Sequence, residues 1–441
     1  MRKVLDQRRG KQHEHHLGNE MKSIMSRRSL LAASGALLAA PMLLRAGRAR
    51  AARDTLRVGL VTPSTGPLAF FAEPDAFVLK RFEAVLSKGV DGRPVEIIVK
   101  DSQSNSNRAA EVASQLILED EVVLLLAAGG PDTVLPVADQ AEINGTPSLA
   151  TSCPWQPFVM GRGSTPETGF QSTFLFAFGL EDVIAAYLKL WETLPNNRKV
   201  GLLLPNDADG NAWGDQKYGF PPALAAAGYE VIDPGRYQPM SGEFSAQIAA
   251  FRDADVDIVM GSMIPPDFTT FWTQAAQQRL RPKAATIGKS LLLPNVLQGI
   301  GATASGLTTE LAWHPDLPFV SAATGESGRD IAKAWAEETG KPWIQTLGLK
   351  HGLIDIGLAA LRGATDPTDA ESIIAAIRKL DVETTMGRAN FGASPIANVA
   401  KSVMLGGQWW QSQGGFRLEI AANPTSIEIP VTRSVEQLPE L

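Results

Sequence analysis

Short apolar runs of strand length alternate with stretches of helical spacing along this chain, and the alternation runs through twice. Residues 56–61 form an apolar run closed by Thr62-Pro63 and Gly66-Pro67, and residues 76–86 then repeat apolar positions at the spacing of one helix face. Strands are predicted over 95–99, 122–127 and 148–150, with helices over 109–118 and 136–143. The run 122–127 is almost continuously apolar, as a parallel strand buried on both faces requires. The order restarts at 199–204. Strands at 229–232, 257–260 and 284–287 are interleaved with helices at 222–227, 244–252 and 268–279. Late helices fall at 331–339, 347–361 and 370–380, and closing strands at 387–391 and 401–405. The expected fold class is α/β, two doubly wound lobes with a ligand cleft between them. Ligands of open parallel sheets bind beyond the carboxyl ends of the strands, so functional residues are expected in the loops just after them.

Charge divides the chain differently. Residues 1–51 hold eleven Lys/Arg against three Asp/Glu, so the overall net charge of −6 leaves about −14 on the remaining 390 residues. An acidic body of that size argues against nucleic acid as partner. The cationic segment reads as an address. Ser26-Arg27-Arg28-Ser29-Leu30-Leu31 precedes a weakly hydrophobic stretch to Leu44 and the small-x-small site Ala49-Arg50-Ala51, the pattern of a twin-arginine export signal. Residues 29–44 include Gly35 and Pro41 and fall short of the roughly 20 residues of a spanning helix. Met21 begins a more ordinary signal, and no Cys follows the apolar stretch for lipid attachment. A soluble periplasmic protein maturing near Ala52 is expected, with 1–51 as its export signal.

Catalytic constellations are sparse. The only cysteine is Cys153, which excludes an intramolecular disulfide, a Cys-based zinc site and an iron–sulfur cluster. No Gly-x-Gly-x-x-Gly follows a strand, and neither a phosphate loop nor a Gly-x-Ser-x-Gly elbow is present. Beyond the signal the only histidines are His314, in a Trp-His-Pro turn, and His351, inside an apolar helical pattern that suits a hydrogen-bonded structural role. Cys153 at a strand end reads as a packed residue. Asp207 and Asp209 open like a calcium loop, but Trp213 and the missing glutamate spoil it. No cofactor and no metal are expected. An exported enzyme using carboxylates such as Asp101 or Asp207 is the competing class.

Four segments carry a resemblance. Arg57 to Pro67 is similar to the first strand and loop of the type I periplasmic binding proteins. Asp101-Ser102-Gln103-Ser104-Asn105 followed by Ala109-Ala110-Glu111-Val112-Ala113 resembles their second strand and helix. Asp207 to Gly214 resembles the opening loop of their second lobe, and Gly406-Gly407-Gln408-Trp409 their C-terminal closing strand. Their order and spacing over 54–420 resemble the branched-chain amino-acid (leucine/isoleucine/valine) binding family of ABC transporters. The resemblance implies three interlobe crossovers, with lobe one from 52–177 and 309–386 and lobe two from 178–308 and 387–441. It further implies a monomer that closes on one small solute and docks on an ABC permease in the cytoplasmic membrane. A ligand-sensing partner of a membrane receptor is the other non-enzymatic reading.

In amino-acid-binding members, lobe-one hydroxyls hold the carboxylate and a lobe-two acid holds the ammonium. Thr151 and Ser152 match the hydroxyl loop, and Asp132 and Thr133 fall near the second hydroxyl position. Asp132 would repel a carboxylate unless protonated or turned away, which leaves Thr133 as donor. Where the family's acid should lie, near Gly288-Lys289-Ser290, this chain has none, and Lys289 would instead attract an anion. The lobe-two aromatic positions fall at Trp213 and Met263, while Phe70, Phe71 and Glu73 occupy the lobe-one mouth loop. These residues fit a small carboxylate-bearing solute, either an aromatic or aliphatic acid or a branched-chain or related amino acid whose ammonium Glu73 or Asp132 would serve.

Overall fold

The computed structural model describes residues 55–439, so the expected export signal lies outside the described residues. The first alternating run is β1 (Leu56–Thr62), α1 (Asp75–Lys88), β2 (Val95–Asp101), α2 (Ser106–Leu118), β3 (Leu124–Ala127), α3 (Pro131–Asn144), β4 (Ser148–Ala150), α4 (Trp155–Val159) and β5 (Thr173–Ala177). The second run continues with α5 (Leu180–Trp191), β6 (Lys199–Leu203), α6 (Ala208–Trp213), α7 (Phe220–Ala226), β7 (Glu230–Ile232), α8 (Ser245–Asp253), β8 (Ile258–Met263), α9 (Pro265–Gln277), β9 (Ala284–Lys289), α10 (Pro294–Ile300) and β10 (Thr308–Leu311). Then come α11 (Gly328–Thr339), α12 (Thr346–Gly363), α13 (Ala370–Arg378), the hairpin β11 (Asp381–Thr384)–β12 (Gly387–Asn390), β13 (Val399–Lys401), β14 (Leu405–Ser412) and β15 (Gly415–Ala422).

Two sheets result. The first has the order β13-β5-β4-β3-β1-β2 and is parallel throughout. The second has the order β15-β14-β10-β9-β8-β6-β7, parallel up to β10 and antiparallel through β14 and β15. The all-apolar β3 is buried along its whole length, because α12 covers one face of the first sheet and α2 with α3 the other. In the second lobe, α5 lies against β10, β14 and β15. Its Trp191 is fully buried, and the indole Nε1 donates to Thr286 Oγ1 at 2.8 Å, so the ring's polar edge is satisfied inside the core. Among the described residues no helix is long and apolar enough to cross a membrane.

The chain crosses between sheets three times, after β5, β10 and β13. Two of the boundaries expected from the sequence need correction. Residues 308–311 pair within the second sheet as β10, and residues 399–401 pair with β5 in the first sheet. The expected closing strand at 401–405 is in fact the crossover itself. Ser402 N–H still bonds to Ala177 O at 2.9 Å beside β5, and three residues later Leu405 pairs with Leu311 in the other sheet. An apolar run that changes sheets carries no punctuation in the sequence.

A buried charge cluster pins the loop between β10 and α11 onto lobe one. His351 on α12 places Nδ1 at 3.3 Å from Asp355 and Nε2 at 3.7 Å from Glu326, while Arg81 Nε of α1 donates to Glu326 at 2.9 Å. Asp355 in turn accepts from the Ser321 hydroxyl at 2.7 Å. Burial pushes Glu326 up, but the nearby His351 and the Arg81 guanidinium outweigh that and bring it down to about 2. Burial lowers His351, yet Asp355 and Glu326 more than compensate, and its pKa is raised.

The sign of the pH dependence follows. Glu326's contribution to stability is complete above its unfolded value near ~4.3 and is lost as the pH falls toward 2. That of His351 is complete below about 6.5 and is lost as the pH rises through its raised folded value. Urea midpoints measured from about pH 3 to about pH 9 should decline on both limbs. Glu326→Gln should flatten the acid limb and His351→Gln the alkaline one; a limb that survives its substitution belongs to other groups.

Candidate functional site

In each sheet the strand order reverses beside its first strand, between β1 and β3 in one and β6 and β8 in the other. Successive connections leave such a point in opposite directions and open a crevice at the carboxyl ends of the strands. The two crevices face each other, and one cavity is lined by residues of both lobes. Its free space is only about 40 Å³, so the walls of the two lobes stand close together around it.

Lobe one contributes turns with positive φ. Gly129 and Gly130 have φ of 130° and 82°, and a Cβ on Gly129 would lie 2.4 Å from Pro63, so the loop after β3 closes against the loop after β1 only with glycine there. Pro131 then begins α3, followed by Asp132 and by Thr133, whose hydroxyl lies 3.2 Å from that of Ser102. After β4, Ser152 takes φ 62° and lines the cavity, and the buried Thr151 hydroxyl has no protein partner. Phe71 is buried with its ring centroid 4.4 Å from that of half-buried Phe70. Leu68 and Phe71 of lobe one pack on Ile264 of lobe two, so the mouth is shut across the lobes.

Lobe two contributes charge. Asp207 caps α6 by accepting the Gly210 N–H at 2.7 Å. A Cβ at Gly210 would meet Pro205 O at 1.9 Å, so this tight turn also needs glycine. The turn aims Asp209 and Trp213 into the cleft. Lys289, the last residue of β9, adopts φ 60° and ψ −67°, a rare γ-turn conformation of the strained kind found at ligand sites. Several contacts hold it there. Its Nζ lies 2.7 Å from Asp209 and 3.5 Å from Asp207, and its N–H donates to Glu310 Oε1 at 3.2 Å. Glu310 Oε2 accepts from Tyr187 OH at 2.7 Å. A Cβ on Gly288 would sit 2.8 Å from Glu310 Oε1 and 3.0 Å from Trp213, so the glycine makes room for that carboxylate.

Burial raises Asp209 and Glu310, Glu310 despite the hydrogen bonds it accepts. Burial also raises Asp132 to about 6, and the nearby Lys289 offsets only part of that. For Lys289 burial works against the charge, but Asp209 and Asp207 outweigh it and its pKa is raised. The ammonium is therefore a permanent charge at the centre of a ring of acids.

Of the residues singled out from the sequence, Phe71, Ser152, Trp213 and Lys289 line the cavity, with Phe70, Thr133 and Thr151 close behind. Asp132 faces Ala208 and Lys289 of the opposite lobe. Two expectations need correction. Glu73 is drawn to Lys341 at 2.8 Å on the surface of lobe one. Met263 is fully buried in the core of lobe two, where only its carbonyl matters locally, accepting the Ser290 hydroxyl. A third concerns charge: Lys289 is paired with two aspartates, and Glu310 supplies an acid beside Gly288 although none is adjacent in sequence. Asp209, weighed from the sequence only as part of a calcium loop, lines the cavity, and so do Ser262, Phe178, Gln345 and Glu310, which were not singled out. Glu310 had a signal, a carboxylate in the middle of the apolar stretch 307–313.

The groups weighed for catalysis have other employment. The Asp101 carboxylate accepts the Ser64 N–H at 2.8 Å and the Thr65 hydroxyl at 2.6 Å, fixing the turn after β1. Cys153 is fully buried and its thiol pKa is pushed up by that burial. Among the described residues no group of three or more His, Cys, Asp or Glu is arranged to hold a metal ion.

A family model described as periplasmic binding protein matches residues 55–409. No curated protein matches the chain by sequence. Solved structures do. The leucine-binding protein LivK of Thermotoga maritima superposes with a TM-score of 0.70 at 19% identity, over 84% of this chain and 99% of that one. A solute-binding protein of an ABC transporter from Rhodopseudomonas palustris, solved with 3,4-dihydroxybenzoic acid, gives 0.67 at 19% identity, over 82% and 95%. The branched-chain amino-acid transporter substrate-binding protein LivJ of Streptococcus pneumoniae, solved with isoleucine, gives 0.64 at 16% identity, over 83% and 99%. Identities this low speak to the fold alone, and the family match spans most of the chain; the chain belongs to the periplasmic binding protein family.

Proposed function

We propose that the protein is the substrate-binding component of an ABC importer. It works in the periplasm, captures a small carboxylate-bearing solute by lobe closure, and delivers it to a membrane permease. The observation that carries this reading is the cleft, a single cavity at the switch points of both sheets that only the closed arrangement completes.

The charges in the cleft favour a solute with an ammonium group. Lys289 is neutralised by Asp209 and Asp207, and Glu310 remains as a further acid in the cavity wall. A bare carboxylate finds no free cation on that side, whereas an ammonium finds Asp209 and Glu310. The carboxylate of the same solute would meet the neutral donors Thr151, Ser152 and Ser262, two of which have hydroxyls without protein partners. Branched-chain or related amino acids fit, as does the isoleucine in LivJ. The second reading is an aromatic acid, favoured by Phe71, Phe178 and Trp213 in the walls and by the dihydroxybenzoate in the Rhodopseudomonas protein.

A thermal-shift panel separates the two. A true ligand at about 100 times its Kd adds about 2.7 kcal/mol and a clear rise in Tm. Leucine, isoleucine or a related amino acid should produce it and 4-hydroxybenzoate should not; the opposite pattern rejects the ammonium reading. Glu310→Gln should weaken the amino acid about tenfold or more, equal to about 1.4 kcal/mol. An aromatic acid would instead bind the variant equally or better. Mass spectrometry of solute released from the purified protein gives an independent identification.

The role of Lys289 is separable from ligand binding. Lys289→Met leaves two aspartates facing each other without their cation and should cost about 3–5 kcal/mol of stability at neutral pH. Because burial already raises Asp209, the loss should shrink as the pH falls and that carboxylate takes up its proton. Urea unfolding at two pH values reads this directly. A variant as stable as the wild type would show that the pair does not hold the cleft together.

A further inference from the structure

Two of the three crossovers are gripped at their lobe-two ends by a buried glutamine of lobe one. Gln345, just before α12, is fully buried and lines the cavity. Its Oε1 accepts the Ala312 N–H at 2.9 Å and the Trp313 N–H at 3.4 Å, and its Nε2 donates to Glu310 O at 3.0 Å. Glu310 belongs to β10 of lobe two, and Ala312 and Trp313 begin the second crossover. Gln156, in the buried helix α4, grips the first crossover in the same way. Its Oε1 accepts the N–H of Leu180, the first residue of α5 in lobe two, at 2.8 Å, and its Nε2 donates to the Glu181 carboxylate. The adjoining Trp155 N–H donates to Phe178 O at 3.0 Å and its indole to Glu181 at 2.9 Å. A carboxamide offers a donor and an acceptor without charge, so it can satisfy a strand end or a helix start away from water without the desolvation cost of an ion. Phe178 and Ala312, held by these contacts, line the cavity wall, whereas Leu68 and Phe71 meet Ile264 at its mouth.

We propose that Gln156 and Gln345 are positioning residues for lobe closure, two amide swivels that fix the axis on which the lobes rotate. A hydrogen bond keeps its strength over a broad range of angle but only within about 2.7–3.2 Å between donor and acceptor. Two interlobe points that stay bonded while the lobes move therefore lie on the rotation axis, and the mouth, remote from that line, travels farthest. Gln345 also holds the carbonyl of Glu310, whose side chain stands in the cavity wall. It thereby keeps that acid at one place relative to lobe one in the open and the closed form. The proposal rests on the reading that the lobes open and close around a solute.

Its test needs no solute, so it can fail while the importer reading stands. Spin labels at Ile143→Cys of lobe one and Met240→Cys of lobe two, which are 77% and 60% exposed, report the interlobe distance in solute-free protein. The native Cys153 is buried and stays unlabelled. At about pH 5, Gln345→Met and Gln156→Met should each broaden the distance distribution about twofold, because a lobe held at one point twists as well as rotates. The two substitutions sit on different crossovers, so either folded variant alone carries the test. Gln345→Glu should keep the wild-type width. Burial beside Glu310 holds the new carboxyl protonated, and a neutral carboxyl has an oxygen for the Ala312 N–H and an O–H for Glu310 O. A residue that only filled space would give the reverse order, methionine preserving the width and glutamate losing it. Wild-type width in either folded methionine variant overturns the proposal, and so does a Gln345→Glu distribution as broad as that of Gln345→Met.

Discussion

A lysine ammonium with little access to water must be paired, because the cost of stripping its hydration exceeds what a single weak contact returns. Lys289 is only 6% exposed, and much of the local architecture of lobe two follows from satisfying it. Asp209 and Asp207 are delivered by a tight turn that Gly210 alone permits. The strained backbone of Lys289 is held by Glu310, Glu310 is held by Tyr187, and Gly288 leaves the space in which the carboxylate stands. Removing any one of these leaves another group buried without its partner. The strain at residue 289 is therefore over-determined by its surroundings, the condition under which such conformations persist.

The same cluster joins the site to the hinge. Gln345, just before α12, accepts the Ala312 N–H at 2.9 Å and donates to Glu310 O at 3.0 Å. It clamps the second crossover directly behind the strand residue that orients Lys289. The first and third crossovers leave the paired strands β5 and β13, and the second and third reach or leave the paired strands β10 and β14. The cavity wall and the second crossover thus share one hydrogen-bonded path, and Leu68 and Phe71 pack on Ile264 at the far side of the cleft.

Most of the fold was legible because it is written in periodicity. Strand-length apolar runs and helix-spaced stretches identified β1 to β4 and β6 to β9, and with them the two doubly wound lobes. What periodicity missed lies where the chain departs from the repeating unit. β5 and α5 at 173–191 carry the first crossover, β10 hides a glutamate inside an apolar stretch, and β13 changes sheet without a turn residue. The site was half legible for a related reason. Loops after strands can be located in sequence, so Phe71, Ser152, Trp213 and Lys289 were found. Side-chain pairing across strands cannot, so Lys289 read as a free cation and Glu73 as a mouth residue, when Asp209 and Lys341 respectively claim them.

That error about Lys289 has a consequence for selectivity. A free lysine in a hydroxyl-lined cleft would welcome any small anion. A lysine already shared by two aspartates, with Glu310 alongside, offers no unpaired cation, and an anion without its own positive charge must approach those acids uncompensated. On the proposed reading, discrimination then comes less from tighter contacts to the right solute than from repulsion of the wrong one, which in a water-poor cleft is the stronger lever. The neutral hydroxyls of lobe one fit that logic, since donors without charge bind a carboxylate modestly and leave the decision to lobe two. Closure makes the decision count, because only when the lobes meet are the acids and the solute held in the same low-dielectric space.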